Sequence, residues 1–85
     1  MNIKLEILKK KLIYRAEYRG TKEMDILLST FVKKYINTFD ENLLLELEKF
    51  LNFEDEIILN FYQHDTVEEK IDKNGVSKIF KKFSF

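Results

Sequence analysis

The stretch from Arg19 to Asp25 reads Arg-Gly-Thr-Lys-Glu-Met-Asp and contains the side chains best suited to specific recognition. Arg19 stands out because the chain has thirteen lysines and only two arginines. A guanidinium group binds a carboxylate or a pair of carbonyl oxygens through two directed hydrogen bonds, whereas an ammonium group acts as a point charge. Glu23 and Asp25 place two carboxylates beside it. The sequence therefore predicts that these three charged side chains are displayed at a corner between two helices.

The rest of the chain offers little for catalysis. It has no Cys, so it has no thiolate nucleophile, disulfide or cysteine-ligated metal, and His64 as the only imidazole nearly excludes zinc. Three adjacent carboxylates, Glu54, Asp55 and Glu56, are typical of a helix start, where the helix dipole favours acidic side chains. No glycine-rich phosphate loop or nucleophile elbow is present. We predict no catalytic, cofactor-binding or metal-binding residue.

Two amphipathic helices flank the corner. The first is predicted from Ile3 to Arg19, and Gly20 is predicted to end it because glycine adopts positive φ without steric cost. The second is predicted from Lys22 to Tyr35, with Thr21 as its N-cap. An ion pair between Arg19 and Glu23 would be the structural alternative to recognition, but Gly20 interrupts the helix between them. The residues alone leave both alternatives open.

Three further segments complete an all-α prediction for a single domain over residues 1–85. A third helix should begin near Asp40 and a fourth near Glu54, and the chain contains no proline. Thr66 and Glu69 match the spacing of a capping box, which predicts a turn or short helix that Asn74-Gly75 ends. A last amphipathic segment follows from Val76 to Phe83. The fold class is thus a small bundle of about five short helices.

Charge is distributed unevenly along the chain. Residues 1–22 carry seven basic and two acidic side chains, a net charge of +5, whereas residues 23–56 carry three and nine, a net charge of −6. A neutral chain with an acidic middle makes nucleic acid an unfavourable partner and favours a protein. The amino terminus lacks the apolar run of a signal peptide or a membrane span, which predicts no membrane insertion and a bacterial cytoplasmic location.

The corner and its flanks resemble the succinate dehydrogenase flavinylation (FAD assembly) factor family. The resemblance covers about residues 8–62, and the segment 63–85 matches loosely. Its most specific element is the Arg-Gly-x-x-Glu signature at Arg19, Gly20 and Glu23. The supporting positions are Leu12, Ile13, Tyr14, Met24, Asp25, Leu27, Leu28, Phe31, Leu47, Leu51, Asp55 and Phe61.

This resemblance implies a monomeric assembly factor, not an enzyme. It would bind the flavoprotein subunit of succinate dehydrogenase or fumarate reductase and promote covalent attachment of FAD to a histidine of that subunit. The FAD would be held by the partner, with no cofactor bound by this chain. The implied partner-binding residues are Arg19, Gly20, Glu23, Asp25, Asp55 and Phe61. The alternative is a helical adaptor or regulatory module that binds an unrelated protein or nucleic acid through its basic first helix.

The chain departs from the family pattern at two positions. Tyr18 stands where many members have a basic residue, and Phe61 stands where the family usually has tryptophan. We expect Arg19, Gly20 and Glu23 at the surface. We expect the following residues to be largely buried: Leu8, Leu12, Leu27, Leu28, Phe31, Leu47, Phe50, Leu51, Ile58 and Phe61.

Overall fold

Residues 3–83 form five α-helices. The computed structural model describes residues 3–83 and contains α1 (Ile3–Glu17), α2 (Lys22–Tyr35), α3 (Glu41–Phe50), α4 (Asp55–His64) and α5 (Gly75–Lys82). Two short 3-10 segments, Ile36–Thr38 and Ile71–Lys73, precede α3 and α5. No strand occurs in this part of the chain. The prediction of a small all-α bundle is confirmed.

The turn between α1 and α2 differs slightly from the prediction. The first helix ends at Glu17, two positions before Arg19, and Gly20 adopts the expected positive φ of +122°. The Thr21 hydroxyl accepts a hydrogen bond from the Met24 amide at 3.3 Å, which confirms it as the N-cap of α2. This cap and the glycine together determine where the second helix begins.

The segment after α4 corrects the prediction of a capping box and gives Asn74 a second role. Thr66 lies outside any helix, and Glu69 and Lys70 have positive φ values of 52° and 60°, which a right-handed helix excludes. The capping box is therefore not formed, but a turn at Glu69 and Lys70 and the 3-10 segment Ile71–Lys73 agree with the predicted turn or short helix. Asn74 ends the 3-10 segment as predicted and is also the N-cap of α5, because its side-chain oxygen accepts from the amides of Val76 and Ser77 at 2.8 and 3.1 Å.

Phenylalanine rings form the centre of the core. The Phe31 ring is fully buried and packs edge-on against Phe80 and Phe83, with centroid distances of 4.9 and 5.3 Å. The carboxyl-terminal segment thus packs against the middle of α2. Of the ten positions expected in the core, Leu8 and Leu27 are only partly buried. The other eight are buried: Leu12, Leu28, Phe31, Leu47, Phe50, Leu51, Ile58 and Phe61.

Asn74→Asp is expected to destabilise the protein by about 1–3 kcal/mol, the usual cost of an unsatisfied buried polar group. The Asn74 amide nitrogen donates to the backbone oxygen of Glu46 at 2.9 Å, and it lies 3.3 Å from the Glu46 carboxylate. Aspartate keeps the cap of α5 but removes this donor and adds a like charge. Thermal and urea unfolding would measure the loss.

Ser77→Ala provides the matched control for that substitution. The Ser77 hydroxyl oxygen is buried and has no hydrogen-bond partner within residues 3–83. Its removal should leave the unfolding free energy unchanged or raise it, because a desolvated hydroxyl is lost and no bond is broken. Equal stability of Asn74→Asp and Ser77→Ala would contradict the proposed contribution of the bond to α3.

Among residues 3–83, no helix combines the length and the apolar character that crossing a lipid bilayer requires.

Candidate functional site

The Arg19 side chain joins the α1–α2 corner to the α3–α4 connection. Its Nε donates to the Asp55 carboxylate at 2.8 Å, and its two terminal nitrogens donate to the backbone oxygens of Leu51 and Phe53 at 2.6 and 2.7 Å. Leu51 is the C-cap of α3, where carbonyl groups lack partners within the helix. Asp55 begins α4. One guanidinium therefore caps α3 and pairs with the first residue of α4.

This geometry corrects the expected surface position of Arg19. Only 10% of its side-chain surface is exposed, because all of its hydrogen-bonded groups face the α3–α4 connection. Lysine has the same charge but cannot direct donors at one carboxylate and two carbonyl oxygens in a planar arrangement. Contacts within the chain therefore explain why this position has arginine and not lysine. The ion pair of Arg19 is with Asp55 instead of Glu23.

Asp25 holds the backbone of the corner. One of its carboxylate oxygens accepts hydrogen bonds from the amides of Arg19 at 2.5 Å and Gly20 at 3.3 Å. These two amides lie just beyond the end of α1, and Asp25 lies in the first turn of α2. The carboxylate therefore replaces the helical partners that the Arg19 and Gly20 amides lack, and it keeps the two helices in a defined arrangement.

Glu23 differs from the other charged residues of the signature. Its side chain is exposed in the first turn of α2, and its carboxylate makes no hydrogen bond or ion pair with any residue between 3 and 83. Arg19 and Asp25 hold the backbone on either side of it. Glu23 is consequently a solvent-facing charge on a rigid support, which is the arrangement that recognition of another molecule requires.

Two shallow depressions adjoin Glu23 between α2 and α4. One has a volume of about 500 Å³ and an acidic side formed by Glu23, Asp55 and Glu56. The second has a volume of about 340 Å³ and an apolar lining that includes Ile26, Leu59 and Tyr62. Ile26 is 44% exposed, which is high for a large aliphatic side chain. The surface next to Glu23 thus offers both negative charge and apolar area.

The remaining predicted site residues divide between surface and core. Gly20 is exposed, and a side chain built there would meet no atom within 4 Å, so its positive φ is the structural reason for glycine. Asp55 is partly exposed but paired with Arg19. Phe61 is only 7% exposed and belongs to the core, which confirms its predicted burial, and its role in partner binding stays a prediction.

The sequence-based prediction missed the apolar part of this surface. Ile26 and Leu59 lie beside positions of the buried faces of α2 and α4, and periodicity alone does not separate a partly exposed apolar residue from a core residue. It also missed the backbone oxygens of Leu51 and Phe53 as acceptors for Arg19. The sequence feature that points to these contacts is the presence of arginine in a chain whose basic residues are almost all lysines.

The fold and this surface define a class of protein: a small helical bundle that presents an exposed carboxylate beside an apolar surface at one helix corner. The described part of the chain contains no group of three or more residues that could hold a metal ion. Residues 10–84 match the family model described as the flavinator of succinate dehydrogenase. The chain belongs to that family, and the resemblance found in its sequence is confirmed.

Named relatives agree with the family model. The succinate dehydrogenase assembly factor 2 of Scheffersomyces stipitis, a mitochondrial protein, is 46% identical over 48 residues, which cover 56% of this chain and 32% of the relative. The corresponding protein of Danio rerio is 42% identical over 48 residues, covering 56% and 30%. The chain therefore matches about a third of the length of these relatives. No solved structure matches the chain.

Proposed function

We propose that this protein is an assembly factor that binds the flavoprotein subunit of succinate dehydrogenase and promotes covalent attachment of FAD to that subunit. The observation that carries the proposal is the exposed and unpaired Glu23 of the family signature, presented at a corner that Arg19 and Asp25 hold rigid. Fumarate reductase is the second flavoprotein that we propose as a partner, because its flavoprotein subunit poses the same chemical task.

The proposed mechanism is positional. Docking stabilises the flavoprotein conformation in which the flavin and the accepting histidine meet, so that a minor conformation becomes the populated one. This chain contributes a carboxylate on a fixed backbone and an apolar surface beside it, and the flavoprotein holds FAD. We propose that it acts as a monomer without catalytic groups of its own. The location in the bacterial cytoplasm stays a prediction. The named relatives are mitochondrial proteins.

A rigid corner suits this role for a physical reason. Binding energy shifts a conformational equilibrium only to the extent that the favoured state is bound more tightly than the other. A carboxylate on a mobile backbone would follow its partner through both conformations and discriminate poorly. The three hydrogen bonds of the Arg19 guanidinium group and the Asp25 contacts restrict the position of Glu23 before the partner arrives.

Glu23→Ala is expected to lower covalent FAD in the flavoprotein about tenfold, which corresponds to a loss of about 1.4 kcal/mol of interaction free energy. The fold should persist, because an exposed acidic residue in a first turn contributes only about 0.3–1 kcal/mol. Both proteins would be co-expressed, and covalent flavin would be measured by fluorescence of the denatured flavoprotein after electrophoresis.

Glu41→Ala is the matched control for the flavinylation experiment. Glu41 is also an exposed glutamate in the first turn of a helix, but it belongs to α3 and lines neither depression beside Glu23. Its loss should change the melting temperature by a similar amount and leave flavinylation intact. Full flavinylation by folded Glu23→Ala would overturn the role of this carboxylate and favour the adaptor alternative.

A further inference from the structure

The outer face of α1 carries an unusual row of exposed apolar side chains. Ile3, Ile7, Tyr14 and Tyr18 are 73%, 55%, 63% and 68% exposed. Ile3, Ile7 and Tyr14, at spacings of four and seven residues, lie on one side of α1, and Tyr18 follows directly after the end of this helix at Glu17. The opposite side of α1 contributes Leu12 and Ala16 to the core. We call these four exposed residues the α1 ridge.

Basic residues accompany the α1 ridge. Lys10 and Lys11 are exposed and lie in its middle section, one on each side of the row, and Lys4 is exposed near its start. The segment that contains α1 has a net charge of +5, in contrast to the acidic segment that follows. A partner surface that covers the ridge would therefore combine an apolar groove with acidic residues at its edges.

The α1 ridge is continuous with the Glu23 corner. Tyr14 and Tyr18 are in contact, with ring centroids 4.6 Å apart, and together with Arg15 and Arg19 they line a shallow depression. Asp55, which pairs with Arg19, lines the depression that contains Glu23. The Arg19–Asp55 ion pair thus lies between the end of the ridge and the acidic surface at Glu23.

The size of a specific interface also requires more than the corner. A stable protein complex buries about 800 Å² on each partner. The whole accessible surface of this small domain is 5716 Å², so such an interface would cover about a seventh of the molecule. Glu23 and its neighbours form only part of that area. The α1 ridge extends it along a helix of 15 residues.

We propose that the α1 ridge is a second part of the docking surface for the flavoprotein subunit, and that it inserts into an apolar groove with acidic edges on that subunit. This inference rests on the proposed function and specifies which further surface the partner covers. The ridge supplies apolar anchors, Lys10 and Lys11 pair with the acidic edges, and Glu23 contacts the region where flavin is attached.

The test is the affinity of the full chain for the purified flavoprotein subunit, measured by titration calorimetry with the variants Ile7→Glu and Tyr14→Glu. Each is expected to weaken binding at least about tenfold, because an anchor is lost and a charge faces the acidic edges. Leu45→Glu is the matched control: Leu45 is 46% exposed on α3, outside the ridge and the depressions around the corner, and should bind as wild type.

A charge-reversed variant keeps the test independent of folding. The double variant Lys10→Glu, Lys11→Glu changes two exposed positions only, so it should fold, bind more weakly and show a smaller dependence of affinity on salt than wild type. Thermal unfolding would accompany every measurement. If this variant and at least one of the folded ridge variants bind with the affinity of wild type, the proposal is wrong.

The experiment separates this proposal from the proposed function. If Glu23→Ala weakens flavinylation while all ridge variants bind normally, the ridge proposal is wrong and the assembly function stands. If wild type neither binds nor flavinylates the flavoprotein, both are wrong. A further control is sedimentation of wild type with vesicles of phosphatidylcholine and phosphatidylglycerol. If wild type sediments with these vesicles and the ridge variants bind the flavoprotein normally, the ridge binds an anionic lipid surface and the proposal is wrong.

Discussion

Arg19→Ala should destabilise the protein by about 3 kcal/mol, the lower end of the cost of breaking a buried ion pair by removing one partner. The substitution leaves the backbone oxygens of Leu51 and Phe53 and the carboxylate of Asp55 without the guanidinium that now donates to them. For a domain of this size, that loss lowers the melting temperature by roughly 12–24 °C. Differential scanning calorimetry would measure it.

Arg19→Lys tests the geometry separately from the charge. Lysine retains one positive charge near Asp55 but does not reproduce the planar set of three donors, so we expect an intermediate loss of about 1–3 kcal/mol. Arg15→Lys is the matched control. Arg15 is the other arginine of the chain, and its guanidinium group donates a hydrogen bond to Asn52 at 2.5 Å at an exposed position. An unchanged melting temperature for Arg19→Lys would contradict the structural role of Arg19.

A structural role for Arg19 also changes how the flavinylation activity of Arg19 variants is interpreted. Reduced flavinylation by an Arg19 variant does not identify a partner contact, since the variant loosens the support of Glu23 as well. Glu23→Ala is the cleaner test because its carboxylate has no partner among residues 3–83. The signature thus combines two tasks: Arg19 and Gly20 shape the corner, and Glu23 faces outward from it.

Phe31→Ala is expected to produce a loss of about 3–5 kcal/mol, as for other large aromatic residues removed from a core. The Phe31 ring has no exposed surface and contacts the rings of Phe50, Phe80 and Phe83. Its removal leaves a cavity between α2, α3 and the carboxyl-terminal segment. Since small domains have a total stability of only about 5–15 kcal/mol, this loss is a large share of the free energy of unfolding.

Ile26→Ala serves as the control for the core substitution. Ile26 lies on the same helix but is 44% exposed, and surface substitutions usually change stability by about 0.5 kcal/mol or less. Urea unfolding of both variants would compare their free energies directly. A loss for Phe31→Ala no larger than that for Ile26→Ala would contradict the central position of Phe31 in the core.

The helices themselves were determined locally, and the sequence predicted them well. Thr21 and Asp40 accept hydrogen bonds from backbone amides three residues later, so short stretches of sequence specify where α2 and α3 begin. Apolar spacing identified the buried faces, including those of Phe31 and Phe80. The signature also identified the family, because Gly20 and its charged neighbours occur at a recognisable helix boundary.

Only the tertiary structure decided which signature residues face solvent. Arg19 contacts backbone oxygens and a carboxylate 32–36 positions later in the chain, and local spacing contains no information about such a contact. The exposed state of Ile7 and Tyr14 likewise depends on which face of α1 its neighbouring helices cover. Helical periodicity follows from interactions between residues three and four apart, whereas burial depends on how the helices pack together.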